Sequence, residues 1–218
     1  MSVYIDIHSH KFPSFDEETI TVRNVILPDE DIPATNYFSA GFHPWHAGKV
    51  KTEVIEEKLT TIANLNNCIA IGECGIDRST EIPVELQIKE FKIHISVAEK
   101  SGKPIVIHCV RAYSDLMQVL KASKFSYPVI LHNYNGNKFQ TKQLLKYNCY
   151  FSFGEPLFLK NKTADIVQHI PANRIFLETD ESNFSIGEMY SSAAIMLKME
   201  EKELKSIVFE NFKSLGIK

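Results

Sequence analysis

The chain contains 218 residues, of which 44% are hydrophobic and 23% are charged, and its formal net charge is −3. These values are ordinary for a soluble globular protein. The net negative charge excludes a protein that binds nucleic acid through a basic surface alone. A site for nucleic acid would therefore need bound metal ions to supply much of its positive charge. No apolar run approaches the ~20 residues of a transmembrane helix, so we expect no membrane partner.

The organisation of the chain is simple. We find no internal repeat, low-complexity segment or linker, and the length fits a single domain over residues 1–218. The segment MSVYIDIHSH at the N-terminus lacks a basic region followed by a long apolar core, so we predict a first strand there and not a signal peptide. We therefore expect a cytoplasmic location, and a monomer without an evident protein partner.

Apolar, β-branched runs alternate with amphipathic segments along the chain. We predict strands at 3–8, 22–27, 38–42, 69–73, 104–108, 128–132, 148–153 and 174–179. We predict helices at 52–66, 84–101, 112–123, 138–147, 161–170, 188–199 and 200–215. This alternation predicts a mostly parallel sheet with right-handed crossovers.

The helix at 84–101 has the clearest pattern. Its predicted apolar stripe at helical spacing consists of Leu86, Phe91, Ile95 and Ala98 or their near neighbours. Gly102, followed by Pro104, is expected to end this helix.

Residues that bind metals in proteins stand at the ends of five predicted strands. The six candidates are His8, His10, Glu73, His108, His132 and Asp180. A parallel barrel brings the C-terminal ends of its strands to one face, where its chemistry takes place. We therefore predict an α/β fold, a TIM-type (β/α)8 barrel, whose first βα units are abbreviated because 11–37 has little room for helices. An open doubly wound sheet is the alternative, but no glycine-rich phosphate loop of the form GxGxxG or GxxxxGK[ST] occurs.

The nitrogen and oxygen ligands suit divalent metal ions, and their number indicates two ions, for which we consider Zn, Mg and Mn. His8 and His10 point to the same face because they are two residues apart on a strand. Glu73 has two oxygens that can bridge two ions, and Asp180 can bind a metal and accept a proton from water, so we predict catalytic roles for both. The structural alternatives are an ion pair for Glu73, hydrogen-bonded core histidines, and a helix N-cap for Asp180.

The four cysteines and three further residues complete the candidates. Cys68, Cys74, Cys109 and Cys149 show no CxxC spacing, which argues against a disulfide framework and a thiolate zinc site. His43 and His46, in GFHPWHA (41–47), are predicted to contact substrate. Arg111 is the nearest cation for an anionic group such as phosphate, with a surface arginine at a helix start as the alternative.

Several segments, in this order, resemble the TatD-like metal-dependent hydrolases, a family that includes metal-dependent deoxyribonucleases. They are DIHSH (6–10), GFHPWHA (41–47), IGECGID (71–77), QIKEFKIHISVAEKSGKPIVIH (87–108), LHNYNG (131–136), FSFGEP (151–156) and LETD (177–180). The resemblance implies a TIM-type barrel and a two-metal site with ligands at the same six residues. The chain differs at Val110, where the family usually has Arg, at Asn133, where it usually has Cys, and in a short segment without proline after LETD.

These observations predict a metal-dependent hydrolase that acts on ester bonds. The leading reaction is phosphodiester hydrolysis by a two-metal deoxyribonuclease at DNA ends or in single strands. The alternative is hydrolysis of a small phosphoester, amide or lactone on the same metal core. A non-catalytic binding barrel is disfavoured, because a chain without catalysis has no need for six inward ionisable residues.

Overall fold

A computed structural model describes residues 3–11, 18–34, 36–159 and 165–217 of the chain. The strands are β1 (Tyr4–Ser9), β2 (Thr19–Ile26), β3 (Phe38–Gly41), β4 (Cys68–Asp77), β5 (Ile105–Val110), β6 (Val129–Leu131), β7 (Cys149–Phe153) and β8 (Ile175–Leu177). The helices are α1 (Thr52–Ala63), α2 (Val84–Ser101), α3 (Tyr113–Ser123), α4 (Lys138–Leu144), α5 (Pro156–Leu159), α6 (Ile186–Leu197) and α7 (Glu201–Lys213). Short 3-10 turns cover Pro44–His46 and Ala172–Arg174.

The predicted order of elements is confirmed where the structure describes the chain. The short helix α5 was not predicted, and the helix predicted at 161–170 falls partly on 161–164, outside the described residues. Between β2 and β3 the described residues contain no helix, as expected for an abbreviated unit, whereas 12–17, between β1 and β2, lie outside the described part. None of the described helices is long and apolar enough to cross a bilayer.

The chain divides into two compact units. The first comprises Met1–Arg23 and His132–Lys218, and the second comprises Asn24–Leu131. Strand order in the sheet follows chain order from β1 to β8, and the described strand pairs are parallel. The single domain expected from the sequence stays a prediction.

In the first unit, the end of β1 lies beside the segment that follows β8. A parallel bridge joins Ser9, the last residue of β1, to Asp180. Helix α6 docks on the same strand through the buried Tyr190, whose hydroxyl accepts a hydrogen bond from the Ile5 amide (3.0 Å) and donates one to the Ile5 carbonyl (3.2 Å). This packing fixes the position of β1, and therefore of the histidines at its C-terminal end.

In the second unit, β4 pairs with both β3 and β5 and is buried along its whole length. Its register with β5 shifts within 71–74. Gly75 allows the close approach of β5, since a Cβ there would lie 2.1 Å from the carbonyl oxygen of His108. Glu73 lies inside β4, within the segment where the register between β4 and β5 shifts. The prediction that it ends a strand is wrong, because the glycines beside it let the strand continue to Asp77.

Helix α2 supports the loops of the second unit with polar side chains. It ends at Gly102, whose φ of 70° is a left-handed conformation that glycine tolerates, as predicted. Leu86 contradicts the predicted stripe, because it is 40% exposed while the other three members are buried. The buried face of the helix includes Gln87, Glu90 and His94 instead. Each of these polar side chains hydrogen-bonds backbone groups of a neighbouring segment, which explains why they are buried.

Candidate metal centre

The first unit brings together three of the predicted metal ligands, His8, His10 and Asp180. The carboxylate oxygen Oδ1 of Asp180 lies 3.5 Å from Nε2 of His10 and 3.9 Å from Nε2 of the fully buried His8. Backbone hydrogen bonds fix this arrangement: the Asp180 amide donates to the His8 carbonyl (3.0 Å), and the His10 amide donates to the Asp180 carbonyl (3.2 Å). These three predicted metal ligands are therefore adjacent.

His132 lies beside His8 in the same unit. Its ring centroid is 4.0 Å from that of His8. On its other side, Nδ1 lies 3.0 Å from Oε1 of Glu178, an oxygen that also accepts a hydrogen bond from the Asn133 amide (2.8 Å). Glu178 is fully buried, and sequence reasoning missed it even though it belongs to the LETD segment. A buried carboxylate beside an imidazole orients the ring and increases its basicity as a ligand.

Asp6 binds the segment that follows β8, next to Asp180. Its two carboxylate oxygens accept hydrogen bonds from the amide (3.0 Å) and the hydroxyl (2.6 Å) of Thr179, the neighbour of Asp180. Burial raises the pKa of Asp6 to about 7, even though these hydrogen bonds act in the opposite direction. The sequence places Asp6 two residues before His8 on a strand, which would have been a signal for a shared face.

The second unit brings together His43, Glu73 and His108. Oε1 of Glu73 lies 2.9 Å from Nδ1 of His108 and 3.4 Å from Nε2 of His43. Burial lowers the pKa of His43, and the neighbouring Glu73 carboxylate only partly offsets this effect. His43 was assigned to substrate from the sequence. The structure places it against two metal-ligand candidates, and its contact with substrate stays a prediction.

Asn24 orients Glu73 and was also missed from the sequence. Its side-chain amide donates to Oε2 of Glu73 (3.0 Å), and its carbonyl oxygen accepts from the backbone amide of Glu73 (3.1 Å). The hydroxyl of Ser39 donates to the same carbonyl oxygen (3.2 Å). Because Asn24 binds both the backbone and the side chain of Glu73, the carboxylate has little freedom to rotate.

Asp77 links His108 to Trp45. Its Oδ2 lies 3.1 Å from Nε2 of His108 and accepts a hydrogen bond from the Trp45 indole (2.7 Å). Burial alone would raise the pKa of Asp77. The hydrogen bonds from Ser79 and Trp45 have the larger combined effect, so the pKa is lowered to about 2. Asp77 is therefore a carboxylate at neutral pH. The motif IGECGID contains this residue, but sequence reasoning gave it no role.

The remaining substrate candidates lie at the edges of the second group. The ring of His46 is 6.5 Å from that of His43. Arg111 follows β5 directly, is exposed, has a positive φ of 53°, and forms no ion pair within the described part of the chain. A left-handed conformation is uncommon for arginine and is often found at functional sites. Substrate contact by these two residues stays a prediction.

The cysteines of the chain are buried and free. Burial raises the pKa of Cys68 to about 11 and that of Cys149 to about 12. The pKa values of Cys74 and Cys109 are also raised by burial. All four thiols therefore remain protonated at neutral pH, which disfavours thiolate ligation.

Solved structures with the same fold were found by structural comparison. The TatD homologue YJJV of Escherichia coli superposes with a TM-score of 0.83 at 18% identity and covers 97% of each chain. A TatD-family hydrolase of Entamoeba histolytica gives a TM-score of 0.81 at 15% identity and covers 98% of each chain. The predicted α/β fold, a TIM-type barrel, is thereby confirmed.

Relatives found by sequence comparison align with about two thirds or more of this chain. The uncharacterized metal-dependent hydrolase YabD of Bacillus subtilis is 29% identical over 222 residues, which is 92% of this chain and 84% of YabD. The 3'-5' ssDNA/RNA exonuclease TatD of Enterobacter lignolyticus is 29% identical over 65% of this chain and 56% of its own length. The human 3'-5' RNA nuclease TATDN2 is 33% identical over 66% of this chain, but the match spans only 20% of that protein.

The match to a protein family extends over nearly the whole chain. Residues 12–215 match the family described as TatD related DNase. Four of the six predicted metal ligands lie inside this range, and the other two, His8 and His10, lie immediately before it. The chain belongs to the TatD related DNase family and is a hydrolase of that class, as its sequence predicted.

Proposed function

We propose that the chain is a metal-dependent nuclease that hydrolyses phosphodiester bonds at DNA ends or in single strands. The observation that carries this proposal is the presence of two histidine–carboxylate groups, His8 with His10 and Asp180, and His43 with Glu73 and His108. Within each group the potential ligand atoms lie within 4.8 Å of one another. Relatives described as an ssDNA/RNA exonuclease and an RNA nuclease support a single-stranded nucleic acid as the substrate.

The donor set of both groups fits a divalent cation. Atoms that share an ion with bonds of about 2.0–2.2 Å lie roughly 3–4 Å apart, and Oδ1 of Asp180 lies 3.5 and 3.9 Å from Nε2 of His10 and His8. Imidazole nitrogen suits Zn, whereas carboxylate oxygen suits Mg or Mn. The ligands in this proposal are His8, His10, Glu73, His108, His132 and Asp180. Two ions per chain and a bridging role for Glu73 are part of the same proposal.

When bound, such ions polarise a phosphoryl oxygen and make water a nucleophile at neutral pH. The chain supplies the proton acceptor. We assign this role to Oδ1 of Asp180, since 27% of its side chain is exposed, which lets water reach it. Glu73 acts from a fixed position, because Asn24 binds its second oxygen and its backbone amide.

Two cations in the described part of the chain, Arg111 and Lys11, bear on how a substrate is held. Arg111 is exposed after β5 and is placed to neutralise one phosphate. Lys11 is occupied by hydrogen bonds to the Ser182 carbonyl and the Asn183 side chain. Together with the net charge of −3, this favours a short stretch of substrate with few phosphate contacts over a long duplex.

A substrate panel tests the proposal. Protein stripped of metal and reloaded with Zn, Mg or Mn is assayed on single-stranded DNA, duplex DNA, RNA, small phosphoesters and lactones. We expect release of nucleotides from single strands or ends, with duplex interiors cleaved least. Hydrolysis of lactones or small phosphoesters without any nucleic-acid cleavage would replace the nuclease assignment with a small-molecule hydrolase on the same residues.

A further inference from the structure

Trp45 is the only tryptophan of the chain, and 52% of it is exposed. It lies in the 3-10 turn Pro44–His46 that follows β3. An exposed large aromatic side chain needs no explanation on its own. Trp45 differs from an ordinary exposed aromatic residue because its contacts hold the indole rigidly beside two residues of the candidate centre.

The polar edge of the indole is anchored. Nε1 of Trp45 donates a hydrogen bond of 2.7 Å to Oδ2 of Asp77. Asp77 is itself held by Ser79, whose backbone amide donates to Oδ1 (2.7 Å), and by Gln87, whose side-chain carbonyl accepts from the Asp77 amide (2.7 Å). Asp77 is 1% exposed. A ring fixed through such a buried carboxylate loses little conformational entropy when a ligand packs on it.

Both neighbouring imidazoles are nearly perpendicular to the indole. The ring of His43 lies 4.7 Å from that of Trp45 with an interplanar angle of 83°, and the ring of His108 lies 5.9 Å away at 77°. Neither histidine stacks face to face on Trp45, and half of the residue is open to solvent. An exposed, rigid aromatic surface therefore adjoins the residues that we assign to metal and substrate.

We propose that Trp45 is a stacking platform for a nucleobase of the single-stranded substrate, next to the phosphate that is cleaved. This inference rests on the proposed nuclease function. Aromatic side chains bind single strands by stacking because every base has a π face, so the contact tolerates any sequence. It would also compensate for the scarcity of cations, since stacking adds affinity without requiring further phosphate contacts.

The test compares two single-stranded oligonucleotides that differ only in abasic residues at the terminal positions. For each protein, the ratio of kcat/KM on the normal substrate to kcat/KM on the abasic substrate measures the contribution of the bases. Stacking contributes about 1–3 kcal/mol per base, so we expect Trp45→Ala to lower this ratio about 5- to 150-fold. Trp45→Phe keeps a ring but loses the hydrogen bond to Asp77, and its ratio should stay within about threefold of the wild-type ratio.

A matched control lies at the opposite end of the strands in the same unit. Phe125 is a half-buried aromatic residue between α3 and β6, whereas Trp45 follows the C-terminal end of β3. Phe125→Ala should leave the ratio unchanged. In the wild-type protein, the fluorescence of the single tryptophan should be quenched by the normal oligonucleotide and much less by the abasic one.

Two results would count against the idea in different ways. If the wild type cleaves the normal oligonucleotide and Trp45→Ala lowers kcat/KM equally on both substrates, the stacking role is wrong and the nuclease assignment stands. If the metal-loaded wild type cleaves neither substrate, the proposed function fails, and the stacking role fails with it.

Discussion

The Asp77 carboxylate holds the imidazole of His108: Oδ2 of Asp77 lies 3.1 Å from Nε2 of His108. A neutral imidazole that donates from Nε2 keeps Nδ1 as its free lone pair. Nδ1 lies 2.9 Å from Oε1 of Glu73, so this orientation presents the lone pair of His108 on the side where Glu73 lies. We infer that Asp77 favours the tautomer in which Nδ1 of His108 is available to a metal ion.

Asp77→Asn is expected to weaken metal binding at His108. The loss of a carboxylate that orients a ligating histidine typically costs 10- to 100-fold in metal affinity. Metal content after equilibrium dialysis against graded free metal measures the effect. Ser79→Ala is the matched control, because its backbone amide still donates to Oδ1 of Asp77 and Oδ2 is untouched; it should bind metal within a few-fold of the wild type. Unchanged affinity in Asp77→Asn would contradict the orienting role.

Glu73→Gln keeps the size of the side chain and removes its charge. We expect the loss of at least one ion and a fall in rate on the order of a hundredfold or more, since charge stabilisation by metal is lost with it. Metal analysis and single-strand cleavage assays measure both effects. Glu90→Gln is the control, because Glu90 is a buried carboxylate of the same unit that accepts a hydrogen bond from Gly48 (2.7 Å) instead. Near-normal turnover of Glu73→Gln with full metal content would rule out the bridging role.

His94 should make folding stability depend on pH. Its Nε2 accepts a hydrogen bond from the Phe42 amide (2.9 Å), next to His43, and burial lowers its pKa to about 4. Because the folded pKa lies below the unfolded value of about 6.5, protonation favours the unfolded chain. The stability that neutral His94 provides is therefore full above pH 6.5 and is lost as the pH falls towards 4, by roughly 2–3 kcal/mol.

Urea denaturation at pH 7.5 and pH 4.5 measures this change in the wild type and in His94→Gln, which can still accept the Phe42 hydrogen bond. We expect the pH-dependent loss to be smaller in His94→Gln by about 2–3 kcal/mol. Asp6, whose pKa is raised to about 7, titrates in both proteins, so the difference between them isolates His94. Equal losses in the two proteins would show that His94 is not held neutral.

Binding of a single-stranded oligonucleotide should depend only weakly on salt. Each phosphate contact contributes roughly 0.7 to the magnitude of the log–log slope for single strands, so one or two contacts predict a slope of about −0.7 to −1.4. Arg111→Ala should weaken binding similarly for all sequences and make the slope shallower by about 0.7. Fluorescence anisotropy at increasing salt measures both quantities. A steep slope would reveal a basic surface that the present account lacks.

The sequence predicted the strand and helix order because hydrophobic periodicity is local information. The ends of elements were less predictable: β4 continues past Glu73 because Gly72 and Gly75 admit the β5 backbone closely, which no periodicity shows. Periodicity also misplaced Leu86, which is exposed. The buried face of α2 includes the polar residues Gln87, Glu90 and His94, which hydrogen-bond neighbouring segments.

The candidate ligands were predictable because each stands at or near the end of an apolar run. The residues that orient them were not, since their roles depend on contacts between segments distant in the chain. Asn24 and Glu73 are an example: neither the sequence around residue 24 nor that around residue 73 shows their hydrogen bonds. Trp45 and Asp77 are a second case, joined across 32 positions by one hydrogen bond.

We propose above all that this chain cleaves nucleic acid through metal ions held by the six candidate ligands. The most direct test of this proposal is the rate of nucleotide release from end-labelled single-stranded DNA by chelator-stripped protein, before and after reloading with Zn, Mg or Mn. We expect no release by the stripped protein, recovery with at least one of these metals, and no recovery in Asp180→Asn. Release that persists after complete stripping, or equal recovery in Asp180→Asn, would contradict it.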